Sequence, residues 1–76
     1  MLNILLVEDI PLWAKVLKKN LQKHGDVIYA SNAQEAKAYL NEYRFDLVFA
    51  DLDLGEHELE GAKIVKIAKR RNIYSI

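Results

Sequence analysis

Two short apolar runs, Asn3-Ile4-Leu5-Leu6-Val7 and Asp46-Leu47-Val48-Phe49-Ala50, constrain the fold of this chain more than any other feature. Continuous runs of this length, without apolar/polar alternation, suit strands buried on both faces. Each run ends in carboxylates, Glu8-Asp9 after the first and Asp51 after the second. If the two strands lie side by side and parallel, their C-terminal ends bring three acidic groups into one crevice, where open α/β sheets bind ligands. Three like charges there need a cation. Oxygen-only ligands favour Mg²⁺, which binds through one or two carboxylates and leaves positions for phosphate oxygens. Acidic residues after strands also keep loops solvated, and Asp9 is placed to cap the helix that follows. The coincidence of Glu8-Asp9 with Asp51 makes a metal and phosphoryl site the leading reading.

At 76 residues the chain is one small domain, residues 1–76. A domain of this size buries only about 60% of the surface its unfolded chain exposes. Chains below ~80 residues usually need a disulfide, a metal or oligomerisation, and with no Cys a disulfide is excluded. No apolar segment approaches the ~20 residues of a membrane span. The first residues lack a charged n-region and run straight into Glu8-Asp9, unlike a signal peptide. The expected location is cytoplasmic. Eleven basic and eleven acidic residues balance, which argues against a general electrostatic grip on nucleic acid. The basic cluster Lys66, Lys69, Arg70 and Arg71 reads as a solvated helix face.

No linker, repeat or low-complexity tract divides the chain, and apolar runs alternate with amphipathic stretches in the manner of βαβ units. Pro11 suits the first turn of a helix that runs to His24, with Gly25 as a left-handed stop. Asp26-Val27-Ile28-Tyr29-Ala30 follows as a strand. Either Ser31 with Gln34 or Asn32 with Glu35 forms a capping box for a second helix, whose buried stripe is Ala33, Ala36, Leu40 and Tyr43. After Asp51 comes an acidic loop in which His57 reads as solvated, and a third helix from about Leu59 turns Ala62, Val65 and Ala68 inward. Asn72 ends it, and residues 73–76 begin a fourth strand.

The expected fold is α/β, β-α-β-α-β-α-β, which with strand order 2-1-3-4 is a partial doubly wound, flavodoxin-like parallel sheet. Right-handed crossovers put the first helix on one face and the second and third on the other. The third and fourth strands should then be open on the first helix's side, which predicts self-association.

Ile4-Leu5-Leu6-Val7-Glu8-Asp9 and Asp46-Leu47-Val48-Phe49-Ala50-Asp51-Leu52-Asp53 together resemble the receiver domain of two-component response regulators. The resemblance spans the whole chain and covers roughly the first three-fifths of a receiver, whose sheet order is 2-1-3-4-5. It implies that Asp51 is the phosphoacceptor, a carboxylate that attacks a phosphohistidine or a small phosphodonor. It also implies that Glu8, Asp9, Asp51 and the backbone carbonyl of Asp53 hold Mg²⁺. The implied partner is a histidine kinase or histidine phosphotransfer protein, docking on Ile10, Leu12, Trp13 and Val16. Trp13 reads equally as an interface anchor or as a core residue.

Receivers also hold the phosphoryl group with a Ser/Thr at the end of the fourth strand and a Lys at the end of the fifth. Neither position falls within these residues, and Ser75 lies a few residues too early, so slowed phosphotransfer is expected. Gly55 stands where receivers commonly have Pro, and Gly61 comes two residues late. A second reading is a dimerisation or interaction module that makes no use of Asp51 and associates through its open face and the edge of the fourth strand. A third, the Asp51-Leu52-Asp53 motif of haloacid-dehalogenase-like phosphatases, fits less well, because that motif follows the first strand and Gly55 replaces its Thr or Val.

Overall fold

A computed structural model describes residues 2–51, 64, 66–71 and 73–75. Strand β1 is Leu2–Glu8, helix α1 Pro11–Leu21, β2 Gly25–Ala30, α2 Ala33–Glu42, β3 Leu47–Asp51 and β4 Tyr74–Ser75. All pairings are parallel, in the order β2-β1-β3-β4. This is the doubly wound order expected from the sequence.

β1 is central, and Ile4, Leu5, Leu6 and Val7 are wholly buried, as a strand covered on both faces must be. Leu5 and Val7 join Val48 of β3, Ala33, Ala36 and Leu40 of α2, and the helical residues Ile64 and Ala68 in one core cluster. Ile4 and Leu6 point to the opposite face, where α1 lies. On that face their partners in β3, Leu47 and Phe49, are only half-buried. Of the residues expected to point inward from the third helix, Ala68 is buried. Leu59, Ala62, Val65 and Asn72 lie outside the described residues.

The first helix is shorter than its sequence pattern suggests. Pro11 opens it as expected, but it ends at Leu21, with Gln22 as C-cap bonding back to Lys18. His24 closes a turn onto Leu21, and Gly25 is already the first residue of β2, opposite Leu2. Its glycine character answers strand contact and not a helix stop, for a Cβ there would run into the Leu2 carbonyl oxygen. At α2 the Asn32 alternative forms: its Oδ1 accepts the Glu35 N–H at 2.8 Å. The Glu35 carboxylate accepts from the Ser31 hydroxyl and the Asn32 side-chain amide. Tyr43 leaves the buried stripe. As the extended C-cap of α2 it is 51% exposed, and its ring lies 6.2 Å from Tyr39 and 6.4 Å from the buried Phe45. The Arg71 guanidinium donates to the Leu40 carbonyl and to Asn41 Oδ1, satisfying one of the carbonyls that a helix end leaves without an internal partner.

Candidate functional site

The C-terminal edge of a parallel sheet is where side chains leave the ladder toward the following loops. Here β1 and β3 end on the same rung, with Glu8 paired directly to Asp51. Glu8 is 2% exposed, the buried charged residue of the described core, and its Oε1 accepts the Ile10 N–H at 3.0 Å. Asp9, one residue on, is half-buried. Asp51 enters the site through its backbone pairing. Its side chain, and Asp53 altogether, lie outside the described residues.

Two adjacent carboxylates, one almost removed from water, form a hard-oxygen donor set, which suits a divalent cation such as Mg²⁺ that is held by one or two protein carboxylates and otherwise by water and phosphate. Among the described residues, no group of three His, Cys, Asp or Glu side chains is assembled.

Tyr29, not singled out by the sequence, belongs to the same edge. It sits opposite Leu6 in β2, and its hydroxyl donates to the Glu8 carbonyl oxygen at 2.8 Å. Burial first, then the negative charges of Glu8, Glu35 and Asp9, hold its phenol above the ordinary value. A half-buried tyrosine in an apolar strand commonly finds a partner for its hydroxyl, which is the sequence signal available. Which partner it finds depends on register.

The proposed docking residues follow immediately. Ile10, Leu12, Trp13 and Val16 are all exposed on or beside α1. Trp13 is 54% exposed, so it does not fill the core.

The family described as response regulator receiver domain matches residues 4–76. The chain belongs to that family. The receiver fold also recurs among solved structures. The MaeR response regulator bound to beryllium trifluoride is similar with a TM-score of 0.80 and 26% identity, over 100% of this chain and 65% of that one. The receiver domain of the Francisella response regulator 1452 is similar in fold with a TM-score of 0.74 and 23% identity, over 96% of this chain and 60% of that one. The chain thus spans less than two thirds of the length of either structure. No curated protein matches it. Receivers are signalling domains of two-component systems that engage kinases or phosphotransfer proteins, and they generally bind Mg²⁺. Among the described residues, no helix of this receiver is long and apolar enough to cross a membrane.

Proposed function

We propose that this receiver accepts a phosphoryl group on Asp51 with the help of Mg²⁺ held by Glu8, Asp9, Asp51 and the backbone carbonyl of Asp53. The observation that carries the reading is the direct pairing of Glu8 with Asp51 at the ends of adjacent strands, since Asp51 then shares a rung with the buried Glu8 and lies near the half-buried Asp9. Beryllium trifluoride, bound by the similar MaeR response regulator, is a small phosphoryl-like anion, and this supports an anion-accepting crevice here.

In the reaction an Asp51 carboxylate oxygen attacks the phosphorus of a phosphohistidine or a small acyl phosphate. The new O–P bond forms as the P–N or P–O bond to the donor breaks, and the leaving group keeps that electron pair. Mg²⁺ would neutralise charge that builds on the phosphoryl oxygens. Glu8 and Asp9 hold the cation's place, and the Ile10 N–H keeps the Glu8 carboxylate aimed. The exposed face of Ile10, Leu12, Trp13 and Val16 is suited to docking a histidine kinase or histidine phosphotransfer protein, with Trp13 as the anchor. A cytoplasmic location goes with this role.

Intact mass after incubation with Mg²⁺ and acetyl phosphate tests the assignment. The expected result is a single phosphoryl adduct on the wild type and none on Asp51→Ala. An adduct on both, or on neither folded protein, rejects it.

The second reading, a homodimer, is favoured by the half-burial of Leu47 and Phe49 on the α1 side of β3 while Val48 opposite is fully buried. Such a dimer would form whether or not Asp51 is intact, and sedimentation velocity of the wild type and Asp51→Ala tests it.

A further inference from the structure

We propose that Tyr29 is a positioning residue for the acidic pair: its hydroxyl, bonded to the Glu8 carbonyl oxygen, holds the β1–α1 turn in the geometry in which Glu8 and Asp9 take a divalent cation. The inference rests on the metal reading above. Pairing between β1 and β2 ends at Val7 and Ala30, whereas pairing with β3 continues through Glu8. Beyond Val7, therefore, the β1–β2 ladder no longer supports the acidic turn. The Tyr29 hydroxyl supplies that support at 2.8 Å.

The choice of acceptor matters. The Glu8 carbonyl belongs to the planar peptide unit that joins the α-carbons of Glu8 and Asp9, so a bond to that one oxygen orients the plane from which both carboxylates project. A second anchor acts on the side chain, where Glu8 Oε1 takes the Ile10 N–H. The ring borders α1: together with Pro11, Ala14, Lys15 and Lys18 it lines a groove of about 210 Å³. Partners that orient metal ligands without touching the metal typically change affinity by about 10- to 100-fold when removed.

The test is Mn²⁺ titration of the wild type, Tyr29→Phe and Tyr39→Phe, with free Mn²⁺ read by electron paramagnetic resonance. Tyr39 packs against the core from α2 and controls for loss of a hydroxyl elsewhere. We expect Tyr29→Phe to bind about tenfold more weakly and Tyr39→Phe to match the wild type, with Asp9→Asn removing the site. Far-UV circular dichroism at the assay temperature establishes that each variant is folded. In metal-free protein, the amide resonances of Asp9 and Ile10 should move in Tyr29→Phe while those of α2 stay. Equal Mn²⁺ affinity in wild type and folded Tyr29→Phe overturns the positioning role while leaving the metal reading intact. A wild type that takes up no Mn²⁺ overturns the metal reading itself, and the role with it.

Discussion

Tyr29 shows how one side chain joins fold and site. Burial and the nearby Glu8, Glu35 and Asp9 charges raise its phenol above the usual value of about 10. The folded protein therefore keeps that proton at pH values where the unfolded chain loses it. The resulting stabilisation is fully present below about pH 10 and is lost as pH rises through the higher folded value. In urea unfolding, the margin of the wild type over Tyr29→Phe should be largest near pH 8 and should shrink above pH ~10. A margin that stays constant or grows with pH would contradict this account. Glu8 and Asp9 stand out in the sequence because two carboxylates end an apolar run. Tyr29 does not, since its distance from Glu8 along the chain says nothing about the rung it occupies.

At the scale of elements, the sequence signals differ in how local they are. Pro11 at the start of α1 and the cap of α2 act on their own backbone neighbours, so Pro11 could be read directly and the cap narrowed to Ser31 or Asn32, of which Asn32 forms it. Gly25 illustrates the opposite case. A glycine after an amphipathic stretch looks like a helix stop, yet it is required by Leu2 of the neighbouring strand. Gly25→Ala should force β1 and β2 apart at their first rung, with an expected cost of about 1–3 kcal/mol. Urea denaturation would measure the loss, and hydrogen exchange should report it first in the amides of β2. A variant as stable as the wild type would mean that β2 can shift without cost. Tyr43 follows the same logic, because the helical period that placed it inward ends one residue before it.

At the scale of the whole sheet, the two faces are unequally covered among the described residues. α2 and the helical residues Ile64 and Ala68 close one face over Leu5, Val7 and Val48, while on the other Leu47 and Phe49 remain half-buried. Pairing of two copies would remove more of that apolar surface from water. We therefore expect the sedimentation coefficient and the melting temperature to rise with protein concentration, equally for wild type and Asp51→Ala. A monomeric boundary at all concentrations, with a constant melting temperature, would reject the dimer.

By itself the sequence determined the succession of strands and helices along the chain, the burial of β1 on both faces and the carboxylates at the strand ends. These follow from local hydrophobic pattern, and the strand order came with the resemblance to receivers. Tertiary structure alone decided that Glu8 and Asp51 share a rung, that Gly25 lies against Leu2, that Trp13 faces outward and that the Tyr29 hydroxyl reaches the Glu8 carbonyl. Each of these depends on register between segments distant in the chain or on which side of a helix the sheet takes. A one-residue slip between strands would exchange every inward and outward side chain, and that choice is made only when the elements pack together.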